Sequence, residues 1–288
     1  MTDDTLFGHC LLRRPDTGPL RPCPPLPVAP SARLYPWWCL EIVRLSPSLP
    51  SPPSTHPSFP SEDKADHAEL AHSLAASTRY PVAVPNYALT FRDLSGHVHF
   101  PHPAHAQDVL QALIFLHSWQ GPPSIGPVYD PESLYLIGHS CSAHILSSIF
   151  LDSSSITPTL APPISLANAV KGLIMSEGIY DLDLLLTSFP DYRPLFVAPT
   201  FGDRDSYAPF SPTNFPLLHR HLRWLLIHSK GDNLVNLPQS QAMHEHLLRL
   251  YTPKQVYSNF HELHAGHDAI LRTDKYIRIV TDFVINRA

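Results

Sequence analysis

The sequence predicts an α/β fold with a mostly parallel central sheet that is covered by helices on both faces. Strand-like and helix-like segments alternate from about residue 65 to the end of the chain, and consecutive parallel strands need helical crossovers that cover the sheet. One predicted strand, residues 134–137, leads into Gly138, Ser140 and Ser142 and then directly into a helix-like segment. At 288 residues the chain is long enough to bury a large core around such a sheet.

Composition and charge argue against binding to nucleic acids or to membranes. The net charge is -5 and the Lys and Arg residues are not clustered, whereas phosphate backbones are bound by clustered basic residues. No uncharged apolar run approaches the ~18 residues of a membrane-spanning helix, and the N-terminus lacks the basic and apolar regions of a signal peptide. We therefore expect a cytoplasmic protein that binds neither nucleic acid nor membrane.

The first 60 residues differ in composition from the rest of the chain. They contain 14 of the 33 prolines, which lack a backbone donor and disfavour both helix and sheet. We expect an irregular segment over residues 1–34 and one domain over residues 35–288, in which the aromatic and β-branched residues 37–45 form a strand. The abrupt change near Ser61 also allows that residues 1–60 come partly from a faulty gene model.

The cysteines predict free thiols. They form no C-x-x-C pair, and three of the four lie in the proline-rich part of the chain. They are Cys10, Cys23, Cys39 and Cys141.

The remaining elements follow from hydrophobic periodicity. The first helix, residues 65–77, places Ala68, Ala71, Leu74 and Ala75 along one face. About forty residues of mixed character separate two of the later strands, and we expect them to form a small cap insertion at about 179–220. The predicted order after the first helix is strand 80–84, helix 104–119, strand 134–137, a helix from about 143, strand 170–175, strand 222–228, helix 239–250, strand 255–259 and helix 269–284.

The segment Gly138-x-Ser140-x-Ser142 is a near match to the G-x-S-x-G nucleophile elbow. In that motif a strained turn at the end of a parallel strand exposes a serine hydroxyl, and small neighbours allow strand and helix to approach closely. Ser142 stands where the second glycine usually lies. The alternative is that Gly138 ends a buried strand and that Ser140 and Ser142 cap the following helix.

Two further residues complete a candidate catalytic triad. An α/β hydrolase presents its nucleophile, acid and histidine in that order along the chain, each after a strand. Asp232 follows the strand 222–228, and His267 lies between the last strand and the last helix, with His264 as the reserve candidate. Ser140 would attack, His267 would act as base and then acid, and Asp232 would orient the imidazole. Turn formation is the alternative role for Asp232.

The sequence gives no reason to expect a metal or another cofactor. The histidine-rich run 97–105 is interrupted by two prolines, and no cysteine or paired carboxylate completes a tetrahedral site. We interpret this run as a proline-rich approach to the helix 104–119. His244 and His246 lack the i, i+4 spacing of a zinc-binding helix, and we expect both on a solvated helix surface.

With these residues in place, the chain from about residue 80 to its end resembles the kynurenine formamidase (arylformamidase) family of the α/β hydrolases. The similarity extends beyond the triad to the segments 86–89, 101–108, 176–192 and 226–235. The resemblance implies a serine hydrolase that releases formate from N-formyl-L-kynurenine, a step of tryptophan catabolism toward NAD, with no cofactor and with a small molecule as its partner. The resemblance leaves a homodimer open.

One part of the family pattern is missing. Members carry an H-G-G-x-W loop after the third strand, whose backbone amides help to form the oxyanion hole, and this chain has no Gly-Gly dipeptide. If residues 40–45 belong to that third strand, the proline-rich stretch 46–54 occupies the loop position, and the Cys141 amide is the remaining oxyanion donor. This departure leaves two alternatives open: a catalytically impaired hydrolase fold that serves as a binding module, or a carboxylesterase acting on small esters.

Overall fold

The computed structural model describes residues 64–92, 96–121, 124, 126 and 128–285, together with the backbone of the strands at 36–40 and 43–45. The side chains of residues 91 and 92 are likewise not described. The predicted irregular segment 1–34 and the proline-rich stretch 46–54 lie outside these residues. The boundary between residues 34 and 35 therefore stays a prediction.

The centre of the fold is a six-stranded sheet in which every neighbouring pair of strands is parallel. The strand order is β10-β9-β8-β7-β1-β3. This arrangement confirms the predicted α/β fold with a parallel sheet. Its strands are β1 (Pro36–Leu40), β3 (Val82–Ala83), β7 (Asp130–His139), β8 (Val170–Ser176), β9 (Arg223–Ile227) and β10 (Val256–Asn259).

Two small ribbons accompany this sheet. In one of them β2 (Val43–Leu45) pairs in parallel with β4 (Asn86–Ala88), and in the other β5 (Phe91–Arg92) pairs antiparallel with β6 (Val98–His99). The prediction of a single strand over residues 37–45 is therefore wrong in one respect. This segment is divided into β1 and β2, which pair with different partners.

Successive residues of a strand point to opposite faces of the sheet. Both faces of this sheet carry apolar side chains, and helices cover both of them. On one face Leu136 and Leu226 join a core with helices α2 and α3, and on the other Ile137 packs with helices α1 and α8. The helices are α1 (Ala68–Thr78), α2 (Ala104–Ser118), α3 (Cys141–Phe150), α4 (Ile164–Ala169), α5 (Leu182–Ser188), α6 (Ala198–Phe201), α7 (Leu237–Leu250) and α8 (Asp274–Ile285).

The helix termini and faces correct several sequence-based boundaries. Helix α1 is preceded by a 3₁₀ turn, Lys64–His67, and Ala68 is exposed while Leu74 is fully buried. The predicted last helix is a 3₁₀ turn, Asp268–Arg272, followed by α8. His246 on α7 is buried, and its Nε2 lies 2.8 Å from the carbonyl oxygen of Phe215, so its predicted place on a solvated surface is wrong.

The strand register brings the sites of interest to one edge of the sheet. His139 of β7 pairs with Ser176 of β8, and Ser176 pairs with Ile227 of β9. The residues that follow these strands, which include Ser140 and Glu177, therefore lie together at the carboxyl edge, where open α/β sheets bind their ligands.

The segment predicted as a cap has an apolar cluster of its own. It contains α5, a π-helical turn at Arg193–Val197, α6 and two short 3₁₀ turns. Among its residues Leu185, Val197 and Tyr207 are completely buried in this cluster. The segment thus packs as a small unit, although its exact limits remain a prediction.

In the described part of the chain no helix combines the length and the apolar character needed to cross a bilayer.

Candidate active site

Ser140 occupies a strained turn between β7 and α3. Its φ of 55° and ψ of -120° are rare for a residue with a side chain, and its N–H donates to the carbonyl oxygen of Ser176 at 2.9 Å. Ser140 is the residue that precedes α3, yet its side chain makes no capping hydrogen bond. The hydroxyl is therefore not engaged in the helix-capping role that was the structural alternative.

The turn is possible because small residues let strand and helix approach. A Cβ atom added to Gly138 would lie 2.8 Å from the backbone nitrogen of Ala143, and one on Gly178 would lie 2.6 Å from the Ala143 Cβ. Ser142, in place of the usual second glycine, is almost fully buried and fits this space.

Asp232 is held in place by the loop after β9. Its Oδ1 accepts hydrogen bonds from the N–H groups of Leu234 and Val235 at 2.8 and 3.0 Å. The remaining oxygen, Oδ2, lies 2.8 Å from Nδ1 of His267, and the Asp232 side chain is fully buried. The residue therefore does more than form a turn, because its free oxygen orients an imidazole.

His267, and not the reserve candidate His264, is the partner of Asp232. The His267 side chain is 6% exposed, whereas His264 lies at the surface. His264 contributes its backbone instead, since a Cβ atom on Gly231 would come within 2.2 Å of its carbonyl oxygen. The histidine loop and the acid loop are thus in direct contact.

The elbow and the histidine adjoin each other. The ring of His139, which precedes Ser140, lies 4.6 Å from the ring of His267 between centroids. Its Nε2 also lies 3.4 Å from Asp268 Oδ1, on the residue after His267. These contacts fix the histidine loop against the turn that carries Ser140.

Sequence reasoning missed Glu177. It follows β8, its side chain is completely buried, and its Oε2 lies 3.1 Å from the same Nδ1 atom of His267 that Asp232 contacts. Its other oxygen, Oε1, accepts a hydrogen bond from the Ser229 N–H at 3.1 Å. The sequence does show that Glu177 is an acidic residue directly after a strand-like apolar run. That this strand, β8, lies beside the elbow strand is visible only in the structure, and the sequence analysis used this segment only for the family resemblance.

The electrostatics around His267 reflect its burial and the two carboxylates beside it. Burial opposes the charge of His267, but the hydrogen bonds and charges of Asp232 and Glu177 outweigh it and raise the pKa of the imidazole to about 10. Burial also works against ionised Asp232, yet the hydrogen bond from His267 and the loop amides lower the pKa of this carboxyl overall. For Glu177, burial dominates and raises the pKa to about 7.

The backbone N–H of Cys141 lies directly after Ser140, at the N-terminus of α3. Cys141 is the first residue of α3, and the first N–H groups of a helix have no partner within the helix. Its Sγ is a free thiol. Strand β1 pairs in parallel with the elbow strand β7, so both strands run toward the same edge of the sheet. The stretch 46–54, predicted in place of the glycine loop, lies outside the described residues.

A pocket opens beside Cys141. Most of its lining is apolar, and the polar lining residues include Tyr87, Thr90, His105, His144 and Thr200. The apolar residues include Leu89, Ile145, Ile179, Leu182, Phe196 and Phe201.

Both histidines of the pocket are neutral at physiological pH. Burial, followed by the charges of neighbouring histidines, lowers the pKa of His105 to about 3, and burial lowers that of His144 to about 3 as well. His144 Nδ1 lies 3.3 Å from the carbonyl oxygen of Ile179. Because a carbonyl only accepts, the proton of His144 sits on Nδ1 and its Nε2 is a hydrogen-bond acceptor.

The histidine-rich run 97–105 ends in the first turn of α2. It leads into α2 as expected, and His105 becomes part of the pocket. In the residues that the structure describes, His139, Glu177 and His267 form the one group whose ligand-type atoms lie within 4.8 Å of one another. Of this group, His267 belongs to the candidate triad, and its Nδ1 is hydrogen-bonded to Asp232.

The parallel sheet, the elbow turn and the acid and histidine loops at one edge together define an α/β hydrolase. Two curated proteins to which the chain is similar are kynurenine formamidases. The chain is 27% identical to that of Meyerozyma guilliermondii over 215 residues, which cover 72% of this chain and 74% of the relative. It is 29% identical to that of Eremothecium gossypii over 221 residues, which cover 73% and 81%. These matches confirm the resemblance that the motifs predicted.

Solved structures agree on the fold. An inhibited esterase B from Lactobacillus rhamnosis superposes with a TM-score of 0.61 at 14% identity, over 88% of this chain and 76% of that chain. The esterase LipW from Mycobacterium marinum superposes with a TM-score of 0.57 at 15% identity, over 87% and 71%. No family model matches the chain.

Proposed function

We propose that the protein is a cytoplasmic serine hydrolase that cleaves the formamide of N-formyl-L-kynurenine to L-kynurenine and formate. The observation that carries the proposal is the 2.8 Å contact between Asp232 and His267 beside the strained turn of Ser140. The similarity to two kynurenine formamidases supports the choice of substrate.

The chemistry follows from the arrangement of the side chains. His267, oriented by Asp232, takes the proton of Ser140 as its oxygen attacks the formyl carbon, and the Cys141 amide stabilises the oxyanion. His267 then gives the proton to the leaving aniline nitrogen, which releases the amine and leaves a formyl-enzyme. Water attacks this ester in the second half of the reaction, again with His267 as base, and formate leaves.

The pocket beside Cys141 suits an aromatic leaving group. Phe196 and Phe201 supply flat apolar surface, which favours burial of an aryl ring. Burial of such a ring favours an aryl formamide over the small esters of the alternative proposal.

A comparison of substrates and pocket variants tests the assignment. We expect kcat/KM for N-formyl-L-kynurenine to exceed that for ethyl acetate, and Phe201→Ala to lower the first by about 10-fold or more, since it removes apolar contact. Phe115→Ala is the matched control, because Phe115 lies at the surface. Faster turnover of the ester in the wild-type protein would favour the esterase.

The second candidate function is a binding module without turnover. The missing glycine loop favours it, because loss of one oxyanion donor costs ~10²–10³ in turnover. Labelling of Ser140 by a fluorophosphonate discriminates the two, since only an activated serine reacts. Labelled protein would exclude an inert module, whereas an unlabelled, folded protein would support it.

A further inference from the structure

Glu177 lies in an unusual backbone conformation at the edge of the candidate site. Its φ is 49° and its side chain is completely buried. Among the described residues, four that are not glycine have a positive φ, and Ser140 and Glu177 are two of them. Strained backbone at a buried ionisable residue is typical of functional sites, and the proposed reaction above gives Glu177 no role.

Two carboxylates face one N–H group. Nδ1 of His267 carries a single proton, and Asp232 Oδ2 lies nearer to it, at 2.8 Å, than Glu177 Oε2 does, at 3.1 Å. Among the described residues no donor other than Nδ1 of His267 reaches Glu177 Oε2. Glu177 therefore acts on His267 chiefly through its charge and at very short range.

We propose that Glu177 is a second acid of the triad, a positioning residue that acts through His267 and sets the pH range in which His267 can take the proton of Ser140. The proposal rests on the serine-hydrolase part of the proposed function, but not on the identity of the substrate.

The charge of Glu177 has two opposite effects on the ability of His267 to act as a base. A buried carboxylate in contact with an imidazole stabilises the imidazolium that forms when Ser140 loses its proton. The same charge favours the imidazolium before substrate arrives, which is consistent with the raised pKa of His267. Only neutral His267 can act as base, so Glu177 shifts the active form toward higher pH.

Other ionisable groups border this cluster. His139 and Asp268 contact the histidine loop, and His228 precedes the loop of Asp232, with its Nδ1 2.9 Å from Ser240 Oγ. Burial lowers the pKa of His228 to about 4, so it stays neutral over the relevant range. Tyr192, whose pKa burial and the charge of Asp232 raise, approaches from the cap.

The first test measures the rate of fluorophosphonate labelling of Ser140 between pH 5 and pH 10. We expect Glu177→Gln to move the acid limb of this profile to lower pH by about 1 unit or more, the size of shift that a nearby charge produces. The matched control is Glu132→Gln, which changes an exposed residue and should leave the limb in place. Coincident profiles for wild type and Glu177→Gln would overturn the proposal.

The second test uses neither the Glu177→Gln variant nor the labelling reaction. Histidine-selective NMR of the wild-type protein, with the signal of His267 assigned by His267→Gln, reports the charge of the ring. We expect an imidazolium at pH 7.5 that loses its proton only at higher pH. A neutral ring at pH 7.5 would overturn the proposal even if Glu177→Gln failed to fold.

These measurements separate the inference from the proposed substrate. Neither uses N-formyl-L-kynurenine, so failure to hydrolyse that compound leaves both results interpretable. Conversely, normal hydrolysis combined with an unshifted acid limb would refute the role of Glu177 and leave the proposed function intact.

Discussion

Asp232 and His267 are joined by a 2.8 Å hydrogen bond between Oδ2 and Nδ1, although 35 residues separate them in the chain. The two loops that carry them interlock: the Lys230 N–H donates to the carbonyl oxygen of Leu263 at 3.0 Å, and Gly231 packs against the backbone of His264. The geometry of the acid and the base is therefore set by loop packing as well as by their own hydrogen bond.

Replacement of the nucleophile should remove activity without disturbing the fold. We expect Ser140→Ala to lower the rate of hydrolysis by at least about 10³-fold, because triad members act as a unit, and to abolish fluorophosphonate labelling. Ser165→Ala, at an exposed serine, is the control and should label normally. Circular dichroism checks the fold of both variants, and unchanged labelling of folded Ser140→Ala would contradict the assignment of Ser140.

Substitution of His267 and substitution of His264 should have sharply different effects on activity. We expect His267→Ala to be as damaging as Ser140→Ala in a labelling assay, and His264→Ala to be mild, because the side chain of His264 is exposed and only its backbone packs against Gly231. The reverse ranking would move the base to His264.

The contact between the loops can be tested through a glycine. A Cβ atom at Gly231 would lie 2.2 Å from the His264 carbonyl oxygen, whereas one at Gly266 meets nothing within 4 Å. We expect Gly231→Ala to lower the free energy of unfolding by about 1–3 kcal/mol and to reduce labelling, because it displaces Asp232. Gly266→Ala should change neither quantity in urea titrations and labelling assays, and equal effects of both substitutions would contradict the interlocked loops.

Acid should destabilise the protein through its buried histidines. In the folded state burial holds the pKa of His105, His144 and His228 at about 3, 3 and 4, below the 6.5 of an unfolded histidine. The unfolded chain therefore binds more protons, so the stability that these residues contribute is complete above pH 6.5 and falls as the pH drops toward their folded values. Each contributes a slope of about 1.4 kcal/mol per pH unit.

Urea titrations at pH 5.0, 5.5 and 6.0 measure this slope. We expect His144→Gln to reduce it by about one histidine's share, and His261→Gln, at an exposed position, to leave it unchanged. A slope that is insensitive to His144→Gln would show that the unfolding proton uptake has another source.

Much of the fold follows from the sequence, because the alternation of strand and helix periods is a local pattern. The candidate triad follows from the chain order of Ser140, Asp232 and His267. Glu177 could not be found in this way, since its role depends on β8 lying beside β7, a tertiary pairing. His246 was misplaced because its bond to the Phe215 carbonyl oxygen compensates its burial. Gly266, which precedes His267, has no positive φ, so contact with Asp232 and not a glycine-specific turn positions His267.

Formate release from N-formyl-L-kynurenine by the full-length protein, compared with its Ser140→Ala variant, tests the central claim most directly. The account predicts release by the wild-type protein at less than the ~10 s⁻¹ of a typical enzyme, since the chain lacks the glycine loop that supplies an oxyanion donor, and no release above background by the variant. No release by wild-type protein that reacts with a fluorophosphonate, or equal release by both proteins, would contradict it.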